Sequence, residues 1–255
     1  MIQDTQKIAL VTGSSRGLGK NTALTLAQKG VDVIVTYHSS EADANQVVSD
    51  IKAIGRKAVA LQLDSSDTQT FEDFVGRVKQ SLQNTWQTNS FDFLVNNAGI
   101  GVNQPFTEIT EDNFDRLFNI HVKGVFFLTQ KLLPLIKDGG RIVNISSGLA
   151  RFTFPGYSVY ASAKGAIEVL TRYLAKELGE RQIRVNVVAP GAIETDFGGG
   201  VVRDNQELNS FIASQTALGR VGVPDDVGGA IASLLSEDNR WINGHRIEVS
   251  GGMFL

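Results

Sequence analysis

At 255 residues, 42% of them hydrophobic and 20% charged, the chain is sized for one large globular domain with a buried core. Its net charge of −3 comes without a basic run or stripe, which excludes the footprint of a nucleic-acid binder. Cysteine is absent, so disulfides, thiolate metal sites and cysteine catalysis are excluded. Residues 1–7 are polar, unlike a signal peptide. No stretch approaches the ~18 consecutive apolar residues of a membrane span, and a cytoplasmic address is expected.

In chain order, residues 8–12 read as a short buried strand, followed by a glycine-rich turn at residues 13–19. Leu18, Ala23, Leu26 and Ala27 then recur at helical spacing up to Gly30, a C-terminal stop. Residues 31–37 form a second strand. Residues 41–54 form a helix with Val47, Ile51 and Ile54 on one face, and residues 57–63 a third strand. Phe71, Phe74, Val75, Val78 and Leu82 mark the next helix. Residues 85–90 read as a polar loop before a strand at residues 91–96. A long helical stretch at residues 112–135 precedes a strand at residues 141–146. Residues 160–178 are a helix closed by Gly179, and residues 184–189 a strand. Residues 224–235 are a helix with Pro224 in its first turn, and residues 245–249 the last strand. Residues 194–215 include Gly198, Gly199 and Gly200 and read as an irregular, mobile flap over a substrate.

Seven short apolar strands separated by helices predict a single α/β domain. Its expected core is a doubly wound, seven-stranded parallel sheet with helices on both faces. No linker, solenoid-period repeat or low-complexity tract divides it.

The turn Thr12-Gly13-Ser14-Ser15-Arg16-Gly17-Leu18-Gly19 lies between the first strand and the first helix. There, glycines admit a pyrophosphate to the backbone amides, and the helix N-terminus adds partial positive charge. Its spacing is G-x-x-x-G-x-G, and a purely structural strand-to-helix turn is the competing reading. In dinucleotide folds an acid about 20 residues on binds the ribose 2′-hydroxyl and selects NAD. The matching stretch, Thr36-Tyr37-His38-Ser39-Ser40, has no acid. A 2′-phosphate would meet no repulsion there and would find donors in Arg16, His38 and Ser39, although plain solvent exposure also explains Arg16 and His38. NADP(H) is therefore the expected cofactor.

Tyr160 and Lys164 stand four apart, on one face of the expected helix. A nearby ammonium favours phenolate, and it predicts a lowered Tyr160 pKa suited to proton transfer. A solvated surface pair is the bland alternative. Ser146 and Ser147 end the preceding strand, at the edge where doubly wound folds bind ligands. Either can hydrogen-bond a substrate oxygen, cap a helix or form a turn. His38, His121 and His245 lack ligand spacing, and no metal is expected.

Over essentially its whole length the chain resembles the short-chain dehydrogenase/reductase family. Thr12 to Gly19 is similar to the family's T-G-x-x-x-G-x-G turn, and Asn96-Asn97-Ala98-Gly99 to its N-N-A-G element. Pro190-Gly191-Ala192-Ile193-Glu194-Thr195 is similar to its P-G-x-x-x-T stretch. The resemblance implies a Rossmann fold with a catalytic tetrad of Asn119, Ser147, Tyr160 and Lys164. In it Tyr160 is the general acid/base and Lys164 binds the nicotinamide ribose and lowers the tyrosine pKa. Ser147 polarises the carbonyl, and Asn119 holds a water in a proton relay through Lys164. Implied cofactor contacts are Gly13, Ser15, Arg16, Gly17, Leu18, Gly19, Tyr37, His38, Ser39, Asp64, Ser65, Asn97, Ala98, Gly99, Pro190, Gly191, Ile193 and Thr195, with Tyr160 and Lys164. Asn96 reads as structural.

Leu149, Phe152, Phe154, Tyr157 and Phe197 are the expected pocket walls, for an apolar or acyl substrate; an oligomer surface is the rival reading of these aromatics. The resemblance is strongest to 3-oxoacyl-acyl-carrier-protein reductases, for which Arg181 would help carrier docking while Asp138, beside Lys137, would oppose it. The expected activity is interconversion of a carbonyl and a secondary alcohol. Rival readings are a nucleotide sensor of the same fold and an NAD-dependent sugar or steroid-type dehydrogenase. A homotetramer through the helices at residues 112–135 and 160–178 is expected, with no nucleic-acid or membrane partner.

Overall fold

The structure, a computed structural model, describes residues 6–255; residues 1–5 of the polar N-terminal stretch lie outside the described residues. Among the described residues seven strands form one sheet: β1 (Lys7–Val11), β2 (Val31–Tyr37), β3 (Ala58–Gln62), β4 (Phe91–Asn96), β5 (Ile136–Ile145), β6 (Arg184–Pro190) and β7 (Arg246–Val249). Their order is β3-β2-β1-β4-β5-β6-β7, and every neighbouring pair is parallel. The chain reverses direction across the sheet between β1 and β4, which leaves a crevice at their carboxyl ends.

Continuous apolar strands are needed because both faces are covered. Side chains alternate between faces with period two. Ala9, Val11, Val33 and Val35 pack toward α1 (Gly17–Gln28), α2 (Glu41–Ala53) and α9 (Pro224–Leu234). Ile8, Leu10 and Ile34 pack toward α3 (Phe71–Ser81), α5 (Val125–Leu132) and the C-terminal half of α6 (Ser158–Glu177). Gly30 and Gly55, both at φ 86°, end α1 and α2 as the sequence indicates.

Three expectations are corrected. The polar loop expected at residues 85–90 begins as helix: α3 continues through a wider turn, Leu82–Trp86, and ends on left-handed Gln87. Trp86 is buried there and its indole donates to Asp32 at 2.8 Å, so an apolar anchor overrides the polar composition. The stretch at residues 194–215 is not irregular: it forms a short turn Phe197–Gly200, α7 (Val201–Asp204) and α8 (Gln206–Ser214). Ile212 is buried there and Leu208 packs in the same apolar cluster with Phe152 and Met253. α6 stops before Gly179, as expected, and a short 3-10 turn, Gly179–Arg181, carries the chain to left-handed Gln182. The helix expected at residues 112–135 is α4 (Glu111–Phe118) and α5, joined by a wide π-type turn, Asn119–Gly124.

Asp32 is fully buried at the start of β2. It accepts from Arg56 Nε at 2.8 Å, Lys57 N at 2.9 Å and Trp86 Nε1 at 2.8 Å, and also from the Gln6 amide. Its role is structural, remote from the crevice. Asp32→Ala would strand a guanidinium, an indole N–H and an amide. A loss of about 3–5 kcal/mol is expected in urea unfolding, with nucleotide affinity unchanged in the folded fraction.

Candidate active site

One cleft of about 520 Å³ opens at the carboxyl end of the sheet, a size that suits small-molecule sites. Its first wall is the glycine turn. Gly13 and Gly17 take φ values of 61° and 57°. A Cβ on Gly19 would lie 2.2 Å from the Gly13 carbonyl oxygen, so this turn admits no side chain there. Thr12 Oγ1 accepts the amides of Asn97 and Ala98, both at 2.9 Å, and Asn97 Nδ2 donates to the Thr12 and Gly13 carbonyls at 2.8 and 3.1 Å. These bonds lock the turn to the end of β4. No side chain caps α1, and its first turn holds no acid. The amides that a helix start leaves unpaired therefore face the cleft beside Ser15, Arg16, Gly17 and Leu18. The arrangement fits a dinucleotide pyrophosphate.

His38, Ser39, Asp64 and Ser65 line the outer end of the cleft, and Ser40 and Ser66 join them. His38 Nε2 stands 3.4 Å from Asp64 Oδ2. Partial burial pushes the Asp64 carboxyl up, but hydrogen bonds from Ser66 and the neighbouring His38 outweigh it and hold the group below its ordinary value. Tyr37 departs from expectation. It is not among the cleft-lining residues and packs its ring against the apolar cluster between β2 and α2.

Tyr160 and Lys164 sit one turn apart on α6, both buried. The Lys164 ammonium lies 5.5 Å from the Tyr160 ring centroid and donates to the Ile145 carbonyl at 2.7 Å. Burial pushes the Tyr160 phenol up, and the neighbouring Ser147 hydroxyl only partly opposes this. Burial also brings the Lys164 ammonium down to about 7. The expected lowering of the phenol by its cation is therefore not realised by the protein groups alone. Desolvation disfavours both charged forms. Ser146 and Ser147 both border the cleft but differ in what their hydroxyls do. The buried Ser146 hydroxyl donates to Glu168 at 2.7 Å, whereas the Ser147 Oγ accepts from Leu149 N at 3.2 Å and stands beside the Tyr160 phenol.

Ala98, Gly99, Pro190, Gly191, Ile193 and Thr195 complete the cleft beside the turn, with Ala192. Asn96 is buried and donates to Thr129 and Asn144 at 3.0 and 2.8 Å. Leu149, Phe152, Phe154, Tyr157 and Phe197 form the opposite end. Phe197 approaches Tyr160 at 5.7 Å between ring centroids, and Phe154 approaches Tyr157 at 6.3 Å. Val202, Leu208, Ile212 and Met253 close this end from beneath. Sequence reading missed these four, although Leu208 and Ile212 carry the i, i+4 apolar signal of a helix.

Comparison with known proteins agrees with this geometry. The family model described as enoyl-(acyl carrier protein) reductase matches residues 13–254. A hydroxynaphthalene reductase-like protein of Metarhizium brunneum is 37% identical over 96% of this chain and 94% of its own. Two solved structures are similar throughout. One is a promiscuous reductase that catalyses keto-reduction at C1 during lugdunomycin biosynthesis, with TM-score 0.93, 37% identity and 98% coverage of both chains. The other is the landomycin C-6 ketoreductase with bound NADP and rabelomycin, with TM-score 0.89, 34% identity and coverage of 97% and 96%. The chain belongs to the short-chain dehydrogenase/reductase family. It has the family's single Rossmann-like α/β domain and is an oxidoreductase.

Within this short-chain dehydrogenase/reductase, the tetrad position assigned to Asn119 needs correction. Asn119 is not among the residues that line the cleft; His121 is. Two residues apart on a helical turn point to opposite sides. The His121 ring stands edge-on to Tyr160, 5.2 Å between centroids.

The Lys164 burial has a measurable consequence. Below about pH 7 the folded chain holds a buried ammonium and the penalty is fully present; above it the folded chain sheds the proton before the unfolded chain, whose ordinary value is 10.5, and the penalty shrinks. Lys164→Met is expected to stabilise the protein by about 1–2 kcal/mol near pH 6. That gain should fade as pH rises from about 7 toward 10. Chemical denaturation across this range checks it, and a gain that grows with pH would contradict it.

Proposed function

We propose that the chain is an NADP(H)-dependent ketoreductase whose general acid is Tyr160. The observation that carries this is convergence. Tyr160, Ser147 and Lys164 meet in the same cleft as the uncapped start of α1, with aromatic walls opposite. Bound NADPH supplies hydride to the carbonyl carbon. Tyr160 gives its proton to the carbonyl oxygen, so ketone becomes secondary alcohol. Ser147 donates a hydrogen bond to that oxygen and strengthens it as negative charge develops. Lys164 holds positive charge behind the phenol and steadies the phenolate left by proton transfer. The absence of an acid after β2, with Arg16, His38 and Ser39 at that end of the cleft, supports a 2′-phosphate and hence NADP(H).

The walls favour an apolar, ring-containing ketone. Phe154, Tyr157 and Phe197 present ring faces and edges, the surfaces that stack on flat aromatic systems. Relatives described by hydroxynaphthalene and rabelomycin support the same class. A carrier-borne acyl chain is less supported. Arg181 is paired with Asp138 at 2.7 Å and bonded to the Leu133 carbonyl, and Lys137 is paired with buried Asp92. We place the substrate lid at α7 and α8, entered through Gly198, Gly199 and Gly200, all left-handed.

We further propose a homotetramer. Phe114, Phe126 and Phe127 on α4 and α5, with Val169 and Tyr173 on α6, leave apolar faces exposed on the helices where the sequence places the contacts. Among the described residues no helix is long and apolar enough to cross a membrane. Sedimentation should give a tetramer of the 27.6 kDa chain; a monomer overturns the assembly.

Tyr160→Phe is expected to lower turnover of a bicyclic aromatic ketone by about 10²–10⁴-fold. NADPH fluorescence titration should show its affinity nearly intact and tighter than that for NADH. Wild-type activity in the variant removes the acid assignment, and tighter NADH binding removes the cofactor assignment.

A further inference from the structure

His121 is a buried titratable group that the proposed reaction leaves without a role. It is 1% exposed, yet its ring borders the cleft. Its Nε2 lies 2.7 Å from the Ile100 carbonyl oxygen and 3.3 Å from the Ile100 amide nitrogen; the shorter and stronger contact is to the oxygen, and it assigns the proton to Nε2. The tautomer follows: Nδ1 carries the bare lone pair. That Nδ1 is buried and has no hydrogen-bond partner. A buried acceptor left alone costs free energy, and such an orphan in a native site points to a partner during function.

Three features fix the ring. The Asn119–Gly124 turn is wider than an α-turn and carries His121 inward. Gly99 gives it room, since a Cβ there would lie 2.5 Å from His121 Cε1. Tyr160 meets it edge-on at 5.2 Å. The charged groups around it are few. From α6 come the Tyr160 phenol and the Lys164 ammonium; from the segment after β4 comes only the Ile100 backbone. Arg116 and Lys123, on its own helical stretch, are exposed. Burial and then the Lys164 charge push the imidazole well below its ordinary value. A neutral imidazole is an acceptor at Nδ1.

We propose that His121 is a positioning residue of the reduction: its neutral Nδ1 accepts a hydrogen bond relayed from the Lys164 ammonium through one water, and so holds that cation charged behind Tyr160. It thereby takes the place that the family resemblance gives to Asn119. Lys164 has three N–H donors, and Ile145 uses one. An acceptor on the far side orients the rest without moving a proton or electron pair of its own.

The proposal rests on Tyr160 as the acid, and its test separates the two readings. In His121→Leu the acceptor is lost, so Lys164 gives up its proton more readily. The alkaline limb of kcat for ketone reduction should move down by about one pH unit, with kcat near neutrality falling about tenfold. NADPH affinity should stay within about twofold. His121→Asn keeps an acceptor and should restore most of kcat and the limb. A merely structural role would scale kcat and leave the limb in place, and that result overturns the proposal. Should the leucine variant fail to fold, nitrogen-15 resonances of the intact protein decide. Nε2 should be protonated and Nδ1 bare at about pH 7; a protonated Nδ1 overturns it. If Tyr160→Phe is inactive while the limb in His121→Leu stays fixed, only the His121 reading falls. If Tyr160→Phe is active, both fall.

Discussion

A cation and a phenol share one dry corner, and much of the structure serves to keep them there. Neither Tyr160 nor Lys164 would choose burial: each loses solvation in its charged form. The sheet compensates with fixed dipoles. Ile145, the last residue of β5, aims its carbonyl at the ammonium. A row of buried polar side chains then ties α6 to the sheet: Asn96 on β4 donates to Thr129 and Asn144, and Asn144 on β5 donates to Thr171 on α6. Thr171 returns its own proton to the Ile167 carbonyl. Such a row is unforgiving of a slip in register, because a displaced helix would strand several buried donors at once. The height of Tyr160 over the sheet edge is thus set by hydrogen bonds seven to eleven residues away on the same helix.

The other half of the cleft follows a complementary logic. There the protein supplies few charges and many backbone amides. Thr12, Asn97 and Ser14 spend their side chains on the turn itself; Ser14 Oγ donates to the Val11 carbonyl and accepts from Thr36 N. The amides of α1 are left uncapped as a result. A polyanion binds such a surface without displacing a carboxylate, whereas an acid after β2 would have to be overcome by compensating donors. Asp64, the acid that lines this end of the cleft, is occupied by Ser66 and His38.

Legibility in the sequence followed the range of the determining interactions. Strands and their order of appearance were legible because short continuous apolar runs and glycine stops are local signals. The glycine turn, the Tyr160–Lys164 spacing and Ser147 were legible because chemistry at those positions requires particular residue types at fixed intervals. Trp86 was not, since its burial depends on Asp32, 54 positions earlier. Tyr37 was misplaced because the side a strand-end residue faces is decided by packing on α2. Asn119 was placed in the tetrad by the family resemblance. A regular helix and a π-type turn differ by a fraction of a residue per turn, enough to change which neighbour faces the cleft. Residues 194–215 looked irregular because three glycines mask a helix whose apolar face only finds cover from Phe152 and Met253.

That late segment also explains how one acid can be paired with a particular ketone. Phe197 lies against both Tyr160 and Gly101, where a Cβ would sit 2.6 Å from its ring. The wall that selects substrate shape therefore touches the residue that protonates it. Any change in how Phe197 rests alters the solvation of Tyr160 as well as the width of the cleft. Specificity and acidity are coupled here through van der Waals contact and loss of water rather than through charge. Arg203, which pairs with Asp196 and Asp204 at 2.7 Å, braces this wall from the solvent side. Those pairs are exposed and individually weak, so the position of Phe197 depends chiefly on the apolar packing beneath it, where Ile212, Val202 and Leu208 meet Phe152.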